Sequence, residues 1–227
     1  MEEKTQFDGV AEIYEENLEE LLGKWGGDTE RFAEYKIAHV KKVVKNLPKT
    51  VLDFGCGTGR SLEYIQKYFP QAEVYGCDVS EESIKIAANS IPEERLFVND
   101  SAESLKKRGI KFDLVIMACV FHHIDPKERG YWVEGIKSVL NPGGYIAVYE
   151  HNVINPMTKK IILDSNNKVD DIDWMLSHKE LLNLMGEKTI WHGYTLFFPM
   201  RFKGVLCIEE LLRWLPLGAQ HCVITER

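Results

Sequence analysis

The sequence contains no apolar run long enough to span a membrane, no paired cysteine motif and no excess of basic residues. Its longest clear apolar run, Leu114 to Phe121, is far shorter than the roughly 18 residues that cross a bilayer. The five cysteines are odd in number and none is spaced as C-x-x-C, which argues against a disulfide framework and a zinc knuckle. The acidic start, Met1 to Lys4, is unlike a signal peptide. We therefore expect a cytoplasmic protein that does not bind a membrane.

The charge distribution argues against a further class of partner. The net charge is −7, and residues 1–35 carry eleven acidic and three basic residues against 24 and 25 in the remainder. A nucleic-acid-binding protein usually has a basic face, and the densest basic run here is only Lys106 to Arg108. We therefore expect no nucleic-acid partner.

Strand and helix patterns alternate from residue 51 onward. Strands are predicted at 51–54, 73–78, 95–98, 114–119 and 145–149, followed by a β-like run at 188–198 and a last strand at 219–225. The all-apolar run at 114–119 is typical of a strand that is buried on both faces, as in the centre of a parallel sheet. The pattern predicts an α/β fold with a doubly wound, mostly parallel seven-stranded sheet, an antiparallel C-terminal strand and helices on both faces.

The chain is predicted to form a single domain, residues 1–227, with three parts. Residues 1–48 form an N-terminal helical cap with a helix over 30–46, residues 49–150 form a ligand-binding core, and residues 151–227 carry an insertion and the last strands. We expect a turn at 141–144 and a polar insertion over the edge of the sheet at 151–173. The sequence is compatible with a monomer or a homodimer.

The segment Val51 to Ser61 combines a short strand, three glycines at alternate positions and the start of a helix. Glycine lets the turn adopt positive φ and lets a ligand lie against bare backbone, while the first amides of the helix favour an anionic group. The dinucleotide fingerprint G-x-G-x-x-G would place glycine at position 60, where the chain has Arg60. Asp53 lies two residues before the first glycine, and its carboxylate suits a cationic amino group better than a pyrophosphate.

A second acidic residue follows the next strand. In open α/β sheets, ligands bind beyond the carboxyl ends of the strands. Asp78 lies nineteen residues after Gly59, where an acidic residue can bind both hydroxyls of a ribose. It also precedes Ser80, the predicted N-cap of the next helix. An alternative is therefore that Asp78 binds no ligand and acts as a carboxylate at the N-terminus of that helix. Asp78 supports nucleoside binding without identifying the nucleoside.

The pattern Asp53-x-Gly55-x-Gly57-x-Gly59 resembles the first motif of class I S-adenosylmethionine-dependent methyltransferases. Later motifs of that family are matched by Phe112–Val115 and Leu140–Gly144, and Phe7–Tyr14 is similar to the cap of its small-molecule members. The resemblance covers about residues 7–150. It implies S-adenosyl-L-methionine as cofactor, a small-molecule acceptor, and cofactor contacts from Tyr14, Asp53, Gly55, Gly57, Gly59, Asp78, Val79, Asp100, Ser101, Ala118 and His123. Tyr14 could equally be a core aromatic, and Asp100 could merely cap the next helix.

Two strand ends offer candidates for acceptor chemistry. Transfer to an alcohol oxygen needs a base, and histidine is well matched to neutral pH. We expect His122 to be that base and His123 to pack against the cofactor, although both could be structural. His151, in the polar run after the fifth strand, is the second catalytic candidate. His192, Tyr194 and Arg201 could line an acceptor pocket, and the first two could equally form an exposed sheet edge.

The leading hypothesis is a methyltransferase that acts on oxygen of a small polar metabolite. N- or C-methylation stays open, and so does a non-catalytic cofactor-binding module, although the intact Asp53, Asp78 and His122 argue against it. An NAD-dependent oxidoreductase would share the sheet, but Arg60 argues against it. No metal is expected, because the polar residues after the fifth strand are a poor substitute for convergent carboxylates.

Overall fold

The computed structural model describes Gly23 and residues 28–98, 101–164, 174–186, 188–198 and 206–227. Most of the predicted cap before residue 28 therefore lies outside the described residues, as do Tyr14, Asp100 and Arg201. The helices and strands of the described ranges are α1 (Thr29–Val43), β1 (Thr50–Phe54), α2 (Arg60–Tyr68), β2 (Glu73–Asp78), α3 (Glu81–Ala87), β3 (Leu96–Val98), α4 (Ala102–Lys107), β4 (Phe112–Ala118), α5 (Arg129–Val139), β5 (Leu140–His151), α6 (Pro156–Asp164), α7 (His178–Met185), β6 (Thr189–Thr195), α8 (Leu206–Leu212) and β7 (Gln220–Glu226).

The seven strands form one sheet in the order β3-β2-β1-β4-β5-β7-β6. Strands β1 to β5 pair in parallel, whereas β7 is antiparallel to both β5 and β6. This confirms the predicted mostly parallel seven-stranded sheet with an antiparallel C-terminal strand. The order reverses between β1 and β4, which is the switch point where ligands bind in such sheets.

Apolar side chains alternate between the two faces of the sheet, and each face is covered by helices. One face packs against α1 to α3, for example through Ile37 and Leu62. The other packs against α4, α5 and α7, for example through Leu105, Ile136 and Leu181. Within the described ranges, no helix is both long and apolar enough to cross a membrane.

One local prediction was wrong, and two helices were not predicted. The predicted turn at 141–144 is an irregular part of β5, because Leu140 and Tyr145 pair with Phe112 and Leu114 across a register shift. The segment at 151–173 contains helix α6, which begins at Pro156 behind Asn155, whose Oδ1 accepts from the backbone N–H groups of Met157 and Thr158. Helix α8 lies between β6 and β7.

Candidate active site

The glycine turn after β1 is tightly packed at two positions and open at the third. Gly55, Gly57 and Gly59 all have positive φ, at 75°, 53° and 94°. A Cβ on Gly55 would lie 2.5 Å from Cγ2 of Val120, and one on Gly59 would lie 3.0 Å from Cα of Ala87. A Cβ on Gly57 would meet nothing within 4 Å. The middle of the turn therefore has the bare, open backbone against which a ligand can lie.

Asp78 connects this turn to the end of β2. Its Oδ2 accepts from the backbone N–H of Gly57 at 2.9 Å, and its Oδ1 accepts from that of Ser80 at 3.0 Å. Ser80 caps α3, as predicted, with its hydroxyl accepting from the backbone N–H of Ser83. These bonds fix the orientation of the Asp78 carboxylate at the end of β2, beside the glycine turn.

Asp53 is a buried carboxyl group. It is 2% exposed, and its Oδ2 has no hydrogen-bond partner within the part of the chain that the structure describes. Burial raises the pKa of Asp53 to about 7; Lys36 opposes this shift, and Asp78 adds to it. A cationic donor of a bound ligand would satisfy this oxygen, so the residues of the turn fit a ligand with an ammonium group beside its nucleoside.

The backbone changes direction sharply after β4. Ala118 ends the strand, and Cys119 has a positive φ of 61°, which is uncommon for a residue other than glycine and often marks functional sites. The bend is held by the backbone N–H of Cys119, which donates to the carbonyl of Tyr149 at 2.7 Å, and by Gln220, whose Nε2 lies 3.1 Å from Sγ of Cys119. A one-turn 3-10 helix, Phe121–His123, follows directly.

Glu150 and His122 form a buried pair beside this bend. The distance from Nδ1 of His122 to Oε2 of Glu150 is 2.7 Å, and both side chains are at most 1% exposed. Oε1 of Glu150 accepts from the backbone N–H groups of Val120 and Phe121 at 3.0 and 2.7 Å. Burial alone would raise the pKa of Glu150, but its interaction with His122, the hydrogen bond from Phe121 and the charge of His151 lower it to about 2. An ionised Glu150 can only accept, so Nδ1 of His122 carries the hydrogen that joins the pair.

The other two histidines of the prediction lie against this pair. The ring of His123 has its centroid 3.9 Å from that of His122, and the ring of His151 lies at 5.3 Å. Both are partly exposed, whereas His122 is buried beneath them. The strand ends of β4 and β5 thus bring together all three.

Arg129 supports the same loop and was not singled out from the sequence. Its Nε donates to the carbonyls of Phe121 and Ile124 at 3.0 and 3.2 Å, and its Nη2 donates to the carbonyl of Trp174. The arginine itself is 6% exposed. A basic residue at the start of a helix gave no signal of this role, because its partners are backbone carbonyls.

The adenine-side candidates are only partly described. Ser101 caps α4 with its hydroxyl, which accepts from the backbone N–H of Ser104, and Val79 lies between Asp78 and Ser80 at the end of β2. Asp100 lies outside the described residues. Asn152, part of the supposed polar wall after β5, is turned away from the chemistry: its Nδ2 donates to the carbonyls of Pro216 and Gly218.

His192 and Tyr194 belong to a larger group of rings at the edge of the site. The ring cluster consists of His178, His192, Tyr194 and His221. The centroid of His178 lies 5.4 Å from that of His192, 5.0 Å from that of Tyr194 and 5.4 Å from that of His221. His178 and His221 were not predicted as site residues, because their proximity depends on the position of α7 against β7.

Comparison with known proteins identifies the core. Residues 52–146 match a protein family described as a methyltransferase domain. The core of the chain is therefore similar to class I S-adenosylmethionine-dependent methyltransferases. The chain is 30% identical to trans-aconitate 2-methyltransferase of Pseudomonas aeruginosa over 52% of its own length and 42% of the relative. It is 25% identical to malonyl-[acyl-carrier protein] O-methyltransferase of Halalkalibacterium halodurans over 66% of its own chain and 60% of the relative.

Solved structures share its fold over most of their length. The plantazolicin methyltransferase BpumL in complex with SAH (S-adenosylhomocysteine) matches with a TM-score of 0.61 and 20% identity, over 97% of this chain and 91% of that one. A SAM-dependent methyltransferase from Archaeoglobus fulgidus matches with a TM-score of 0.60 and 18% identity, over 87% and 94%. The chain spans between 24% and 60% of the length of the first curated relatives that it matches. S-adenosylmethionine is the cofactor of such methyltransferases, and the open glycine turn and buried Asp53 fit it.

Proposed function

We propose that this protein is a methyltransferase that transfers a methyl group from S-adenosylmethionine to an oxygen atom of a small polar molecule, with His122 as general base. The buried pair of Glu150 and His122 carries this proposal, because it holds a basic ring nitrogen next to the bend at Cys119. Two relatives point in the same direction, since both are named O-methyltransferases.

On the cofactor side, we propose three kinds of contact. Asp53 binds the ammonium group, Asp78 with Val79 holds the ribose, and the backbone of the glycine turn lies along the ligand. Ser101 and Asp100 bind the adenine. Tyr14, Ala118 and His123 complete the cofactor site on the side of the methyl group.

On the acceptor side, the chain has two tasks. When bound, S-adenosylmethionine supplies a sulfonium methyl group that is already electrophilic. The protein aligns the acceptor oxygen with that methyl group and removes a proton. Together, alignment and proton removal can increase the reaction rate by many orders of magnitude. As the O–C bond forms and the S–C bond breaks, the hydroxyl proton passes to Nε2 of His122, while Glu150 holds the imidazole in the correct tautomer. His151 is the partly exposed ring beside His122, and we propose that it contacts the acceptor.

The experiment that tests the reaction uses a cofactor labelled with carbon-13 in the methyl group. The purified protein is incubated with panels of alcohols, carboxylic acids and amines, and the carbon-13 shift of the product identifies the methylated atom. Transfer to oxygen is expected. A product methylated on nitrogen or carbon would contradict the assignment of the atom, and failure to consume the cofactor with any panel would contradict the reaction.

Replacement of Asp78 by alanine should weaken binding of S-adenosylhomocysteine about 30-fold, or ~2 kcal/mol, because a charged bidentate contact is lost. Calorimetry measures this change. Glu73→Ala is the matched control, because it removes an exposed carboxylate at the opposite end of the same strand. Because Asp78 also binds the backbone of Gly57, the thermal midpoint of each unliganded variant must be compared. An unchanged dissociation constant in Asp78→Ala would remove this residue from the site.

Cofactor binding should weaken as the pH falls below about 7, the pKa of Asp53 in the free protein. The ammonium group prefers the ionised carboxylate, so at lower pH the carboxyl must lose a proton before it binds, which reduces the affinity up to about tenfold per pH unit. Calorimetry at several pH values measures this effect. Asp53→Asn should bind more weakly, with the pH dependence between 5 and 8 removed. A wild-type affinity that is constant over that range would disprove the contact.

A further inference from the structure

The tautomer of His221 follows from its surroundings. His221 is 1% exposed, and its Nε2 lies 3.0 Å from the carbonyl oxygen of Leu176. A carbonyl can only accept, so Nε2 carries the hydrogen and Nδ1 of the neutral ring is an acceptor. That Nδ1 is buried and has no hydrogen-bond partner among the described residues. Buried polar atoms are normally paired, and a donor on a bound molecule would satisfy this lone pair.

The ring cluster favours an uncharged donor. Burial lowers the pKa of His178 to about 4, and the neighbouring His221 and His192 act in the same direction. Burial also lowers the pKa of His221, although Glu150 opposes the shift. The uncharged rings of His178 and His221 do not attract a carboxylate or a phosphate. The described residues include no group of three or more His, Cys, Asp or Glu side chains that is arranged to hold a metal ion. A hydroxyl group can donate to the lone pair of Nδ1 without bringing a charge into the cluster.

The ring cluster lies within a small molecule's length of the proposed base. His221 is directly opposite Glu150 in the antiparallel pairing of β7 with β5, and opposed residues of such a pair have Cβ atoms about 5 Å apart. Glu150 in turn bonds to His122. Tyr194 pairs with His221 on the same face of the sheet, and the partly exposed His178 and exposed His192 form the side of the cluster nearest to solvent.

We propose that the ring cluster is the acceptor subsite and that it binds a second hydroxyl group of a ring-shaped acceptor. That hydroxyl donates to Nδ1 of His221, the acceptor ring stacks on His178 and Tyr194, and the first hydroxyl is presented to His122. This rests on the proposed function, whose substrate class it specifies: an uncharged ring with two hydroxyl groups rather than a polycarboxylate.

The subsite is tested with three probes of the same ring size, namely catechol, phenol and phthalate, titrated into the protein saturated with S-adenosylhomocysteine. Catechol should bind at least about tenfold more tightly than phenol, because catechol can bond to His221 and His122 together whereas phenol has one hydroxyl for the two, and phthalate should bind more weakly than either. Phthalate binding equal to or tighter than that of catechol would overturn the proposal, and this comparison requires no variant.

The variant His221→Gln separates binding from structure. Glutamine can place its amide nitrogen where Nε2 lies, so the hydrogen bond to Leu176 is kept while the lone pair at Nδ1 is lost. We expect catechol affinity to fall to that of phenol, with the thermal midpoint and S-adenosylhomocysteine affinity nearly unchanged. His39→Gln is the control, because it makes the same change at a buried histidine on the other face of the sheet.

The two proposals fail separately. If His221→Gln weakens catechol binding but no compound of the panels is methylated, the subsite is supported and the proposed reaction is contradicted. If oxygen is methylated and His221→Gln does not change that reaction, the reaction is supported and the subsite is contradicted.

Discussion

Replacement of His122 by alanine should lower turnover by about 10²–10⁴-fold, the usual contribution of a general base, while the affinity for S-adenosylhomocysteine changes less than about twofold. The reason lies in the proposed role of the ring, which is paired to Glu150 through Nδ1 and takes the acceptor's proton on Nε2. Turnover is measured as the rate of S-adenosylhomocysteine formation with the first acceptor found in the panels. The affinity for S-adenosylhomocysteine is measured by calorimetry.

A second variant shows whether this loss reflects proton transfer or packing. In His122→Asn the amide nitrogen can occupy the place of Nδ1 and keep the hydrogen bond to Glu150, yet the side chain has no nitrogen that accepts a proton. Turnover should therefore fall nearly as far as in the alanine variant, with a smaller loss of stability. Turnover restored by asparagine would identify His122 as a structural residue. The base would then be sought among the neighbouring rings, with His151 first.

The strands of the sheet were predictable because each has a recognisable local sequence pattern. The apolar run at 114–119 is typical of a strand that is buried on both faces, and the glycines that follow Asp53 mark the end of the first strand and the start of α2. Helix α6 was missed although Asn155 followed by Pro156 is a helix-start signal, since asparagine caps the first turn and proline at the first position loses no hydrogen bond. The polar composition of the segment outweighed that signal.

The candidate site was only partly predictable, because its key contacts join residues far apart in the sequence. Glu150, His151 and Asn152 form one polar run in the sequence, which does not reveal the partner of each residue. Glu150 pairs with His122, whereas Asn152, one residue beyond the strand, binds carbonyls of the segment before β7. His221 gave no signal at all, since its place opposite Glu150 depends on the register between β5 and β7.

Replacement of Glu150 by alanine should lower the free energy of unfolding by about 3–5 kcal/mol, because removing one partner of a buried pair leaves the other uncompensated. It also leaves the backbone N–H groups of Val120 and Phe121 without their acceptor. Urea unfolding at neutral pH measures the change. Glu134→Ala is the control: it removes an exposed carboxylate that pairs with Lys137 on α5, and it should change stability by less than about 1 kcal/mol. Equal stabilities of the two variants would show that the buried pair does not stabilise the fold.

The pH dependence of stability tests the same pair from the other side. Burial opposes ionisation of Glu150, but His122, the N–H of Phe121 and the charge of His151 outweigh it and lower the pKa from 4.5 to about 2 in the folded protein. A depressed pKa stabilises the fold fully above about pH 4.5, and that contribution is lost as the pH falls toward 2. Glu150→Gln keeps an oxygen for the two N–H groups but cannot ionise, so its stability should change less than that of the wild type between pH 5 and 3. A glutamine variant with an unaltered acid profile would mean that another carboxylate causes the loss. If the profile does change, the same variant should also reduce turnover without weakening S-adenosylhomocysteine binding, because the imidazole of His122 loses the partner that fixes its tautomer.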